Sequence, residues 1–250
     1  FPARRFAFMI GILEMTALLG SIFGGLILAY LVEHIGWRES MMGAALIALV
    51  LGVFLVYIIR DMPAGPVVRR RLIILKRQDR FINQLKSLLK RPLLWINGAY
   101  SGILFSVISV FVALWGIPFI MIAKHVSLVR ATFITDIVAI GVACSCPVLG
   151  WLNPRIHCRR YIMSGFAVCA AALFIAIIFF PHMPNIFEYM LLFLIGICSS
   201  CYMLTFAIAT ELASVQAKGT SLGFTNTMSV GFAPILQPLI GGVLHFVYHS

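Results

Sequence analysis

Residues 60–91 read RDMPAGPVVRRRLIILKRQDRFINQLKSLLKR, a basic stretch set between two long runs that carry almost no charge. The run before it is Met41–Ile59 and the run after it is Leu93–Ala123. Each holds about the 20 apolar residues that a helix needs to cross roughly 30 Å of hydrocarbon. Working outward, five more such runs appear: Phe6–Val32, Ala131–Trp151, Tyr161–Phe180, Ile186–Thr210 and Thr220–Phe246. A chain that is 62% hydrophobic and 11% charged is no soluble domain. The fold class predicted is all-α, a polytopic bundle of seven transmembrane helices with an amphipathic linker helix at the membrane surface.

The basic residues orient the bundle. Sixteen of the 19 lysines and arginines fall in alternate gaps: Arg4 and Arg5, the stretch from Arg60 to Arg91, then Arg155, Arg159, Arg160 and Lys218. The other gaps hold Arg38, Lys124 and Arg130. Cytoplasmic loops retain lysine and arginine, so the first set is expected inside, with the N-terminus cytoplasmic and the C-terminus across the membrane. The net charge of +11 is therefore a topology signal. No basic stripe interleaved with aromatics accompanies it, and a nucleic-acid partner is not expected.

Within the basic stretch, Met62-Pro-Ala-Gly-Pro66 stops the preceding helix. Leu72, Leu75, Ile82, Leu85 and Leu89 then recur at helical spacing among Arg71, Lys76, Arg77, Arg80, Lys86 and Lys90. That pattern predicts an amphipathic helix on the inner leaflet, its basic face against anionic lipids. Cys144-x-Cys146 and Cys198-x-x-Cys201 lie inside apolar runs without nearby His or acid. They read as small packing residues between helices, and no metal or cofactor is expected.

Met41–Ile59 and Tyr161–Phe180 carry almost nothing polar, and both are expected to face lipid. They stand second and fifth, which implies a repeating unit of three helices. The chain also echoes itself. Ala7-x-x-x-Gly11-x-x-Glu14 in the first run matches Gly219-x-x-x-Gly223-x-x-Asn226 in the last. Parallel repeats of this kind occur in secondary transporters.

With these residues in view the chain resembles the major facilitator superfamily. Phe1-Pro-Ala-Arg-Arg5 leading into a glycine-rich run, and Gly36-Trp37-Arg38 at its far end, are similar to that family's fifth helix. The basic stretch resembles the linker between its two six-helix halves. Gly150-Trp-Leu-Asn-Pro-Arg155-Ile-His-Cys-Arg159-Arg160 resembles the family's loop between helices eight and nine, with Gly150, Arg155, Arg159 and Arg160 matching. Pro154 replaces the usual acid there and His157 the second glycine. The resemblance implies that residues 1–61 are the last two helices of the N-terminal half, 62–92 the cytoplasmic linker, and 93–250 the first five helices of the C-terminal half. The chain, which opens on Phe1, would then be a fragment spanning helices five to eleven.

Glu14 is the leading candidate for chemistry. It lies about eight residues past the expected cytoplasmic edge, roughly 12 Å deep at 1.5 Å per residue. A carboxylate at that depth needs a proton, a partner or water, so a proton-coupling or cation-binding role is its default reading. Asp136 is a second carboxylate, about two turns in from the opposite face. Asn97, Asn226 and Gln237 are amides expected to line a cavity or to bond neighbouring helices. Tyr100, Tyr202 and Thr205 are further lining candidates, and Trp115-Gly-Ile-Pro118 and Gln237-Pro238 are expected helix breaks. Glu188 and Glu211 read as solvated.

No phosphate-cradling glycine loop is present, which leaves an ion gradient or the substrate's own gradient as the energy source. The functional expectation is a secondary active, proton-coupled symporter of a small polar metabolite, in a bacterial inner membrane, working by alternating access. It is not expected to be an enzyme. Two alternatives compete. A seven-helix receptor would reverse the charge asymmetry. A membrane-embedded enzyme would need clustered histidines, but His34, His125, His157, His182, His245 and His249 all fall at run ends or in loops.

Overall fold

The structure, a computed structural model, describes residues 3–58, 81–155, 158–180 and 183–249. Seven helices among them are long and apolar enough to cross a membrane: Ala7–Val32, Trp37–Ile58, Pro92–Lys124, Leu128–Leu152, Arg159–Phe179, Asn185–Leu212 and Lys218–Phe246, spans 1 to 7. No strand occurs among the described residues. That is the outcome lipid demands, because each backbone N–H and C=O must find its partner within the segment.

The chain divides into two compact units. One runs from Gly20 to Arg80 and holds the end of span 1 and all of span 2. Gly36 alone separates the two helices. Its φ of +89° is left-handed, where a side chain would be strained. Its N–H donates to Val32 O at 3.1 Å, and Ser40 Oγ donates back to Gly36 O at 2.7 Å, closing the helix end.

The other unit joins residues to Leu19 with those from Phe81 onward. At its centre spans 4 and 6 are 61% and 72% buried, against 28% or less for the rest. The two backbones meet at Gly141 and Gly196. A Cβ at Gly196 would run into Val138 O, and one at Gly141 into Phe193 O. Small residues that admit such an approach drive helix association where no hydrophobic effect operates. Span 5 flanks span 6, and span 3 receives Met228 and Phe232 of span 7 over Gly98 and Gly102.

Burial does not follow polar content as the sequence implied. Span 2 is 0% buried and span 5 is 17%, yet the polar spans 1 and 7 are 6% and 11%. The reason is visible in span 7, where Ser221, Thr225 and Ser229 share one buried stripe at a spacing of four and the other faces stay open.

Three spans are interrupted. Span 3 widens into a π-helical segment at Val107–Trp115 and resumes as α-helix at Gly116. The break therefore precedes Trp115-Gly-Ile-Pro118 instead of falling on it. Pro118 has no N–H to return and its ring crowds the preceding turn, so the widened turns sit upstream. Span 7 is broken at Phe232, two residues before Pro234, while the break expected at Gln237-Pro238 does not form, since Pro238 lies inside the helix Ala233–His249. Span 6, expected as one helix, tightens to a 3₁₀ turn at Ser200–Met203. Ser200 Oγ donates to Ile197 O at 2.6 Å and Thr205 Oγ1 to Tyr202 O, local bonds that compete with the α-helical ladder.

A helix forms at Phe81–Leu89, within the expected amphipathic linker; Leu72, Leu75 and the basic residues up to Arg80 lie outside the described residues. Leu88 is buried against Leu94, Ala209 and Ala217. Trp95 Nε1 donates to Leu89 O at 2.9 Å, Thr220 Oγ1 to Gln84 Oε1 at 3.3 Å, and the Arg91 guanidinium to Leu212 O. At this turn Leu88, outside the predicted apolar pattern, meets the ends of spans 3, 6 and 7, while Leu89 of that pattern is exposed.

Gly196→Val should destabilise the protein in mixed micelles by at least about 1–3 kcal/mol, since backbone and not a side chain stands in the way. Gly43→Val on span 2 has open space around it and should be neutral by the same denaturation curve.

Candidate functional site

Span 1 reaches the core unit through Ala7, Gly11 and Glu14, which share one face at intervals of four and three. A Cβ at Gly11 would collide with Cys146 O and lie 3.0 Å from Pro147 Cα. One at Gly150 would lie 2.8 Å from Phe8 Cα and closer still to Ala7 O. The beginning of span 1 therefore crosses the end of span 4 with backbones in contact, and the two helices run in opposite directions.

The crossing delivers Glu14 to Tyr202. Tyr202 Oη donates to Glu14 Oε2 at 2.9 Å. Tyr202 sits in the 3₁₀ turn of span 6, is 1% exposed, and meets the edge of Phe105 with ring centroids 5.1 Å apart. The Cys146 thiol of span 4 faces the same carboxyl group. Glu14 itself is partly exposed, seven residues beyond the start of span 1. This pairing suits a proton carrier. An ionised Glu14 accepts the tyrosine O–H, and a protonated Glu14 can still accept it at its carbonyl oxygen while its own O–H turns to the partly exposed side. Neither state leaves a buried polar atom unpaired, which would cost about 1–3 kcal/mol.

The other predicted residues disperse around this pair. Tyr100 Oη donates to Met163 O at 2.8 Å and packs in the same apolar cluster as Tyr202. Asn97 is buried and its Nδ2 donates to Thr205 O at 3.0 Å. Gln237 Nε2 donates to Ser109 O at 2.9 Å, inside the π segment of span 3. Trp115 lines an apolar cavity of about 350 Å³ between spans 3, 5 and 7, and its ring packs on Gly241. Asp136 is half-buried on the face of span 4 that also carries Pro147 and Gly150, eleven and fourteen residues on. Asn226 is exposed. Its echo of Glu14 is not repeated in packing, because Gly11 sits in a tight crossing while nothing lies within 4 Å of a Cβ at Gly223.

At the end of span 4, Gly150 makes the close approach to span 1. Arg155 stacks over Trp151 at 3.8 Å. Arg159 Nη1 lies 2.8 Å from each carboxylate oxygen of Glu211, pairing the start of span 5 with the end of span 6. Arg160 stacks over the Tyr161 ring at 4.7 Å and donates to its hydroxyl. His157 lies outside the described residues.

A family model described as the Major Facilitator Superfamily matches residues 1–238. The chain belongs to the major facilitator superfamily. It is thus an integral membrane protein of a transporter family, as the resemblance of its linker, fifth-helix and loop residues implied. No curated protein matches the chain.

Within this family member two features went unread in the sequence. Ser101 Oγ and Ser229 Oγ are 2.6 Å apart, and Thr205 Oγ1 donates to Ser101 Oγ at 2.9 Å, tying spans 3, 6 and 7 through buried hydroxyls. Thr205 is fully buried in this knot. The signal was the spacing of Ser221, Thr225 and Ser229. The second is a correction. Glu188, expected in solvent, is buried and forms a salt bridge with Lys124, whose Nζ also lies 3.5 Å from Asn185 Oδ1. The end of span 3 and the start of span 6 arrive side by side, and each charge gives the other its counter-ion. Glu211, also read as solvated, is exposed but paired with Arg159.

Glu188→Gln should lower unfolding stability by about 3–5 kcal/mol, since it leaves Lys124 with no charged partner. The double variant Lys124→Met with Glu188→Gln should recover most of that loss in a thermal-shift comparison.

Proposed function

We propose that the chain carries the coupling site of a proton-driven secondary transporter, with Glu14 as the group that takes up and releases the proton. The observation that carries this reading is the Glu14–Tyr202 hydrogen bond, made at membrane depth between spans 1 and 6. A carboxyl there is stable only when its partner serves both protonation states, and it is rarely retained without a functional role. The substrate is a small polar metabolite, moved by rocking of two halves about a site near the midplane.

The distribution of lysine and arginine supports a cytoplasmic N-terminus, in what we read as a bacterial inner membrane. Lys86 and Lys90, both exposed, would meet anionic lipid head groups there. The tight crossing of Ala7 and Gly11 over Cys146 and Gly150 would then lie on the cytoplasmic side and close it. Opening that side requires the two backbones to part, so a wedge at Gly150 should bias the carrier toward an inward-open state.

In the full-length protein in proteoliposomes, Glu14→Gln should reduce pH-gradient-driven uptake of a substrate found by a metabolite screen to background. Exchange of labelled for unlabelled substrate without a gradient should survive. Uptake that keeps its pH dependence in Glu14→Gln would sink the coupling role. Alkaline phosphatase fused after Ser250 should be active in a bacterial host, and an inactive fusion would reverse the orientation.

A further inference from the structure

We propose that the substrate held at Glu14 is a small organic cation, an amine or quaternary ammonium, which exchanges there with the proton. The inference rests on Glu14 being the coupling group and goes on to name the chemistry of its ligand.

The first ground is the distribution of charge with depth. Among the described residues of the seven spans, every lysine, arginine and histidine lies within two residues of a span end: Arg38, Lys124, Arg130, Arg159, Arg160, Lys218 and His245. Two ionisable carboxyl groups lie deep, Glu14 and Asp136. Glu14 stands seven residues beyond Ala7 and Asp136 eight beyond Leu128, at matching depths from opposite ends. With span 4 antiparallel to span 1, and Gly11 level with Cys146, the two carboxyl groups are separated by roughly 10 Å along the membrane normal. Asp136 lies on the same face of span 4 as the residues that meet span 1. Deep groups of this kind can neutralise a cation by giving up a proton, while no described basic residue lies deep enough to hold a carboxylate or phosphate.

The second ground is what surrounds Glu14. The Phe105 ring, partly exposed, stands beside Tyr202, and partly buried Tyr100 packs in the same cluster with its hydroxyl already committed to Met163 O. Aromatic rings gathered on Tyr202, the residue that holds the carboxylate, suit an ammonium, which gains from both the charge and the rings. A sugar or polyol would need several converging donors and acceptors. The buried hydroxyls of Ser101, Thr205 and Ser229 are bonded to one another, and those of Ser145 and Ser200, beside Cys146 and near Tyr202 in sequence, to each other.

The exchange balances as follows. The cation arrives at a protonated Glu14, the carboxyl O–H breaks, and its proton leaves to water on the side from which the cation came. The ammonium then pairs with the carboxylate, so the site stays neutral throughout. One carboxylate cannot hold both ligands, so proton and substrate travel in opposite directions, in place of the symport expected from the sequence. The titratable groups facing Glu14 are the Tyr202 hydroxyl from span 6 and the Cys146 thiol from span 4.

The test uses the full-length protein in proteoliposomes with a pH dye inside and three probes added outside: phenyltrimethylammonium, benzenesulfonate and glucose. With an acidic lumen, phenyltrimethylammonium should drive proton efflux. Glu14→Gln should abolish that efflux and weaken binding of the probe at least about 30-fold, the range for truncating one partner of a buried charge pair. Lowering the pH should weaken binding in the wild type and not in Glu14→Gln. Asp136→Asn should slow the efflux while leaving Glu14-dependent binding in place. No efflux with the ammonium probe, or Glu14-dependent proton movement with benzenesulfonate or glucose instead, overturns the cation assignment while the coupling role of Glu14 stands. Proton movement that persists in Glu14→Gln overturns the coupling role itself.

Discussion

Lipid offers no hydrogen bonds, and every departure from the α-helix in this protein has to be answered by a neighbouring group. The π segment of span 3 is answered by Gln237, which donates to Ser109 O from span 7. The 3₁₀ turn of span 6 is answered by Ser200 and Thr205, whose hydroxyls take up carbonyls of that turn. The turn in span 6 is also where Tyr202 is set, and Tyr202 is what Glu14 needs. The irregular backbone and the functional pair are thus one arrangement. A hydroxyl-rich stretch loosens the helix, and the loosened helix aims a phenol at a carboxyl group from another span.

The second requirement is closeness. Glu14 reaches Tyr202 because Ala7 and Gly11 let span 1 lie against Cys146, Pro147 and Gly150 with no side chains between. The same device holds spans 4 and 6 together at Gly141 and Gly196. Where the chain packs by backbone contact, there is little freedom for gradual adjustment, and movement is expected as separation of whole surfaces. The rigid pair of spans 4 and 6 would carry Tyr202 as one body, and the crossing at Gly11 would be the surface that parts.

Much of this was legible in the sequence. Run length and composition gave seven spans, because a 30 Å slab imposes one length on every helix. The depth of Glu14 followed from counting. Other parts were not legible for identifiable reasons. Tyr202 was a lining candidate in the sequence but its partner was not foreseen, because nothing local marks which hydroxyl will face a carboxylate 188 residues away. Glu188 read as solvated, since its partner Lys124 closes a different span. The match of Asn226 to Glu14 was a similarity of letters and not of surroundings, as the open space around Gly223 makes plain. The linker's apolar residues followed helical periodicity, but periodicity does not distinguish a lipid surface from a protein one, and Leu88, outside that pattern, found protein.

The central claim is that Glu14 changes protonation state when substrate binds. Infrared difference spectroscopy of the full-length protein in lipid, recorded on adding phenyltrimethylammonium, reads that event directly. Loss of one protonated-carboxyl band with gain of a carboxylate band is expected, both absent in Glu14→Gln and both shifted in Tyr202→Phe. A substrate-induced spectrum with no carboxyl change, or one that persists unaltered in Glu14→Gln, would contradict it.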